Sequence, residues 1–284
     1  MINNFLDKYG YKNFNTLAKY FSYGVFLFLV LPIIILVPLS FNSGSFFTFT
    51  PEMLSLDPAG FSLRWYKEFL NSESWLLAVK NSFFIAIVSS AVAIILGTVA
   101  ALGLNSEKMP FKGIVMILLI SPMIVPLIIL AAGMYFFYAY TGLLNSYTGI
   151  IIAHAVLGVP FVVINVLTSL NAYDQNLTKA SYSLGANEIS TFFNITFPII
   201  RPGIISGGLF AFITSFDEIV IILFLANPEQ RTIPKQMFSG LREQISPTIL
   251  AASTLLLLLS IILLVGVQYA ERRKEKIRGT EESH

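Results

Sequence analysis

Six stretches of this chain are each apolar over about 20 residues, enough to cross roughly 30 Å of hydrocarbon as a helix. They run approximately over 20–41, 81–104, 113–138, 149–170, 202–226 and 249–269. Lipid offers no hydrogen-bond partners, so each span must satisfy its own backbone, and helices are the form that does so segment by segment. Only 12% of the residues are charged, about half of what a soluble domain carries. The mean hydropathy is +0.74. These features predict an all-α integral membrane protein with six transmembrane helices, and Pro122, Pro126 and Pro160 predict kinks in the third and fourth.

The inventory of reactive side chains is short. With no cysteine, disulfides and thiolate chemistry are excluded, and His154 and His284 are the only imidazoles. No G-x-x-x-x-G-K-[ST] loop occurs, so ATP hydrolysis is not expected on this chain. A net charge of +2 gives no reason to expect nucleic acid.

Lysine and arginine placement orients the spans. With the N-terminus inside, the inner segments hold twelve of the 18 basic residues, including Lys8, Lys108, Lys179, Arg201 and the run Glu271–Lys276. The outer segments hold six: Arg64, Lys67, Lys80, Arg231, Lys235 and Arg242. Both termini are therefore expected in the cytoplasm. The divisions are an inner segment 1–19, a membrane domain 20–270 and a stop-transfer tail 271–284. The apolar run after Lys8, Lys12 and Lys19 is of span length and lacks a small-x-small cleavage site, so it reads as an uncleaved first span. Outside, residues 61–70 read as a short amphipathic helix, with Trp65, Tyr66 and Trp75 suited to a membrane interface or to contact with an extracytoplasmic partner.

The segment 174–203 lies on the expected inner side. Asn176 is placed to cap a helix over 177–184 that Gly185 ends in a left-handed turn. Asn187 is placed to cap a second short helix reaching Phe193; Pro198 breaks the chain, and Pro202 starts the fifth span. Phe192, Ile195 and Phe197 are expected to face the protein, and Lys179, Ser183 and Glu188 to stay accessible.

This segment resembles the E-A-A-x-x-x-G-A-x5-F-x-x-I-x-L-P-x-x-x-P-G loop of permeases from type I ABC importers. Ala180, Gly185, Ala186, Phe192, Ile195, Pro198, Pro202 and Gly203 match it. Lys179 stands in place of the leading Glu, Ser181 in place of the second Ala, and Phe197 in place of the Leu. The stretches Thr148–Phe161, Phe212–Phe224 and Thr232–Met237 resemble the spermidine/putrescine branch. So does Trp75-x2-Ala-x2-Asn-Ser. The resemblance implies a MetI-like ABC importer permease fold with cytoplasmic coupling helices, in a bacterial inner membrane. It also implies a homologous second permease, two ABC ATPase subunits that carry ATP and Mg, and an extracytoplasmic substrate-binding protein. No cofactor is expected on this chain.

Asp217 and Glu218 interrupt an apolar segment. A mid-membrane carboxylate costs at least about 2.5 kcal/mol on the insertion scale, so such groups line a cavity or bind a neighbour. As adjacent helical residues they are expected about 100° apart, one lining a path for a cation and the other holding a helix. The alternative is that both pin packing or lie near the outer interface. His154 reads as an interhelical hydrogen-bonding residue, and Tyr135 and Tyr138 as an aromatic belt able to contact a passing ammonium.

Three other readings compete. One is a permease for another solute (another organic cation, thiamine or ferric ion). The second is an ion-driven secondary transporter, which predicts an internal repeat that is not visible here. The third is an intramembrane enzyme, for which the inventory is poor.

Overall fold

The computed structural model describes residues 2–106, 108–243, 246–262 and 265. The tail 271–284, its basic run and the end of the sixth apolar segment lie outside these residues. The described residues are helical apart from loops and one isolated bridge between Asn42 and Phe61. The chain divides into two compact units, Met1–Ser72 with Gly240–His284, and Glu73–Ser239.

In the first unit, α1 (Ile2–Leu39) contains the apolar span Phe14–Leu39. The short α2 (Pro51–Leu54) follows, capped by Thr50, whose side chain accepts from Met53 N. Next comes α3 (Arg64–Asn71). The intervening loop is organised by Asn42: its Nδ2 donates to the carbonyls of Phe46 (3.0 Å) and Thr48 (2.6 Å), and its Oδ1 accepts from Gly44 N (2.7 Å). The Asn42 carbonyl accepts from Trp65 Nε1 at 2.7 Å. This corrects the interfacial reading of the tryptophans. Trp65 and Trp75 are buried, 4% and 6% exposed, and the indole of Trp65 finds its partner inside the fold. Tyr66 is half-buried, with its hydroxyl 2.5 Å from Ser40 Oγ.

The second unit begins with α4 (Glu73–Asn105), which starts earlier than the apolar run. The third apolar segment was expected as one kinked span. It is two helices, α5 (Lys112–Ile124) and α6 (Leu127–Thr141), bent by 104°. Pro126 forces the residue before it out of helical geometry, and Val125 is extended (φ −69°, ψ 133°). Pro122 and Pro160 stay within helices. Then come α7 (Tyr147–Asn171), capped by Ser146, α8 (Gln175–Ser183) and α9 (Glu188–Thr191). They are followed by α10 (Phe197–Phe216), α11 (Val220–Leu225) and α12 (Ile233–Glu243). A shorter apolar helix, α13 (Thr248–Ile262), returns to the first unit.

Helices α4, α7 and α10 pack on one another through small residues. Val162 of α7 is gripped between two glycines. A Cβ on Gly97 of α4 would lie 2.6 Å from Val162 Cβ, and one on Gly207 of α10 would lie 2.7 Å from Val162 Cα. Only glycine permits this backbone approach, the usual basis of helix association in lipid. Among the described residues four helices are long and apolar enough to cross a membrane, and the bent α5–α6 pair makes a fifth if it is one span.

Candidate coupling loop and intramembrane polar site

The loop after α7 starts at Asp174, not Asn176. Asp174 is extended and its Oδ1 accepts from Asn176 N at 2.9 Å, so α8 begins two residues earlier than expected. At the other end Gly185 takes φ +84° and Ala186 N donates back to the Ser181 carbonyl at 3.1 Å. This is the left-handed stop expected of glycine at that position. Asn187 Oδ1 then accepts from Ser190 N at 2.8 Å and opens α9.

Pro198 was expected to break the chain, and it does not. Residues Phe192–Thr196 form a π turn that passes directly into α10. Pro198 is the second residue of the α segment that follows the π turn. Pro202 lies inside α10 instead of starting a span. Glu188–Phe216 is therefore one continuous span-length helix.

Ser181 and Thr191 are both buried, with hydroxyl oxygens 2.9 Å apart, and tie α8 to α9. The replacement of Ala by Ser at 181 thus carries a bond of its own. Lys179, Ser183 and Glu188 are exposed, and Phe192 and Ile195 half-buried, as expected. Phe197 is instead 38% exposed. The tip carries apolar surface: Leu184 is 89% exposed and Ile189 70%.

The carboxylate pair is not on one helix. α10 ends at Phe216; Asp217 is its exposed C-cap, and Glu218 is buried at the break. Glu218 Oε1 accepts from Ile221 N at 2.9 Å, capping α11. At the other end of α11, Lys235 Nζ donates to the Ala226 carbonyl at 2.8 Å. An anion at the N-terminus and a cation at the C-terminus both match the helix dipole. Burial lowers the pKa of Lys235 from its ordinary value, and Arg231 adds repulsion. The segment after α11 is pinned by Asn81, whose Nδ2 donates to the carbonyls of Glu229 (2.8 Å) and Arg231 (2.9 Å). Ser82 Oγ accepts from Ile233 N at 2.8 Å. Tyr138 is buried in an apolar cluster with Ile85, Ile150 and Ile221, whereas Tyr135 is 38% exposed.

His154 is fully buried, its Nδ1 2.8 Å from Ser215 Oγ, which accepts from Ser89 Oγ at 2.9 Å. This chain of three links α7, α10 and α4. Sequence reasoning placed His154 between helices but missed Ser89, Ser215, Thr191 and Lys235. For the two serines, the available signal was a hydroxyl inside an apolar segment. Among the described residues, no three His, Cys, Asp or Glu side chains are grouped to hold a metal ion.

Comparison with known proteins follows the same lines. Residues 93–276 match the family described as binding-protein-dependent transport system inner membrane component. The chain is 28% identical to the spermidine/putrescine transport system permease protein PotC of Shigella flexneri, over 91% of this chain and 95% of that one. It is 33% identical to the putrescine transport system permease protein PotI of Escherichia coli K12, over 82% of each. Among solved structures, a bacterial ABC transporter importing the acidic polysaccharide alginate superposes with a TM-score of 0.67 at 15% identity, covering 90% of this chain and 95% of its own. The alginate transporter in complex with a pentasaccharide-bound periplasmic protein gives 0.68 at 17%, covering 94% and 97%. These two likenesses establish a shared all-helical, MetI-like permease fold. The chain belongs to the inner membrane components of binding-protein-dependent transport systems: it is a multi-pass permease subunit of an ABC importer, a transport subunit and not an enzyme.

Proposed function

We propose that this permease imports polyamines, spermidine or putrescine, by alternating access driven by separate ATPase subunits. The similarity to PotC and PotI over most of the chain carries the substrate assignment. The membrane domain 20–270 holds six spans, the α5–α6 pair and the segment from α13 onward included, and both termini lie in the cytoplasm. A homologous permease completes the pore, two ATPases carrying ATP and Mg sit beneath it, and a substrate-binding protein delivers solute from outside.

The coupling surface is the α8–Gly185–α9 turn, with Lys179, Ala180, Ser181, Ala186, Phe192, Ile195, Pro198, Pro202 and Gly203 forming its frame. The observation favouring it is the exposed apolar tip of Leu184 and Ile189 on otherwise polar short helices, the pattern of a helix laid into a partner's groove. On the solute path, Asp217 and Tyr135 offer exposed groups to an ammonium, while Glu218 and Tyr138 position the elements behind them.

The test is uptake of labelled spermidine into vesicles holding this chain with its ATPase, second permease and binding protein. ATP-dependent, vanadate-sensitive accumulation is expected. Accumulation that survives vanadate and collapses with an ion gradient overturns the reading. Uptake of thiamine or ferric ion in place of spermidine overturns the substrate alone.

A further inference from the structure

A cavity of about 520 Å³ opens where α4 and α7 end, walled by α8 and the π turn. Lys108 and Lys179 both line it, together with Tyr173, Thr178, Leu102 and Leu170. We propose that this cavity binds an anionic phosphate group, such as a phospholipid headgroup, at the root of the coupling loop. The proposal rests on the reading that puts this loop at the cytoplasmic face.

The chemistry of the lining selects the ligand. Among the described residues no carboxylate lines the cavity. Among the described residues neither lysine has an acidic partner, and the two ammonium groups share one concavity. Tyr173 Oη and Thr178 Oγ1 are 2.6 Å apart. That bond uses one of their two hydroxyl protons, leaving the other free to donate to an anion. Leu102 and Leu170 belong to the last turns of span-length helices, which sets the site at headgroup depth. Lys179 also stands where the resembling loop motif carries Glu, so the positive cavity is a property of this chain's own sequence. A bound anion would tie α8 to the end of α4, and coupling would then depend on lipid composition.

The full chain, purified in detergent, is titrated with phosphatidylglycerol, phosphatidylcholine and inorganic phosphate and read by native mass spectrometry. Phosphatidylglycerol is expected to be retained about thirtyfold more tightly than phosphatidylcholine, the sum expected of two lysines near an anionic surface. The Lys108→Gln/Lys179→Gln double variant should lose that preference with its melting temperature unchanged, and Lys179→Glu should lose most of it alone. Displacement of phosphatidylglycerol by inorganic phosphate supports the same site with a soluble source. Equal retention of the two lipids with no phosphate bound overturns the proposal, as does a preference unchanged in the double variant. Absent lipid preference, combined with weaker ATPase association in the double variant, also overturns it, in favour of an acidic side chain of the partner. None of the lipid readouts uses ATPase coupling, so their failure is distinct from failure of the coupling reading.

Discussion

Helices α1 and α7 have the same mean hydropathy over their most apolar windows, 2.5, yet 6% of the first window is buried and 61% of the second. Hydropathy locates both and distinguishes neither. Residue size separates them. The α1 window runs through Phe21, Phe26, Leu27, Phe28 and Leu29, all exposed. The α7 span offers Gly149, Ala153, Ala155 and Gly158, all buried, and meets glycines and alanines on its neighbours. Lipid tails are as apolar as leucine, so burying a large apolar side chain against protein gains little there. Close backbone approach gains dispersion contacts, and small residues permit it.

The largest effect is expected where that approach is tightest. Gly207→Leu would drive a side chain into the Val162 backbone and should cost about 3 kcal/mol or more, the upper range for overpacking. A melting curve in detergent should show a large fall or no folded protein. The matched substitution in α1 is Gly24→Leu, where nothing lies within 4 Å of an added Cβ; stability there should hold or rise slightly through helix propensity. Equal losses at both sites would break the comparison.

Gly185 separates space from backbone conformation. Nothing lies within 4 Å of a Cβ there, but φ is +84°. Gly185→Val should therefore cost about 1–2 kcal/mol of local turn stability from handedness alone, and Gly185→Asn less. Membrane insertion should persist while ATP-coupled uptake falls roughly tenfold. Normal coupled ATPase activity in Gly185→Val removes the turn from the coupling mechanism.

These contrasts also mark where the sequence was legible. Span positions and the left-handed stop at Gly185 follow from composition and single-residue stereochemistry. The break after Phe216 was hidden because Ile219–Leu225 keep the segment apolar past Asp217, and hydropathy cannot register a change of direction. The π turn at Phe192–Thr196 is a backbone pairing with no side-chain signature, so Pro198 was read as a stop. Asp174 and Asn176 are both good caps, and only the fold chooses between them. Ser215 and His154 lie 61 residues apart, and nothing local announces that pair.

A polar chain inside the packed helices is the next test. Ser215→Ala removes the acceptor for Ser89 and the partner of His154 together. Intramembrane hydrogen bonds average about 0.6 kcal/mol each, so a loss of about 1 kcal/mol is expected. In α1, Ser22 Oγ donates only within its own helix, to the Ala18 carbonyl at 2.8 Å, and Ser22→Ala should leave the melting temperature unchanged. A melting temperature unmoved by Ser215→Ala would show that small-residue packing alone holds α4, α7 and α10.

The smallest stability effect is expected at the break in the fifth apolar segment, where the contrast between covered and open surface recurs across one peptide bond. Glu218 is buried and caps α11; Asp217 is exposed, and among the described residues its side chain holds no element in place. Glu218→Gln keeps an oxygen for Ile221 N but removes the charge at the helix N-terminus, a loss of about 0.5 kcal/mol. It should lower the melting temperature slightly. Asp217→Asn should leave the melting temperature where it is, yet reduce spermidine uptake with ATPase coupling intact, because an exposed carboxylate can offset an ammonium. The pair is therefore read by two instruments with opposite outcomes expected at neighbouring residues. Uptake unchanged in both variants would take electrostatics out of the solute path and leave the polyamine assignment resting on likeness to relatives alone.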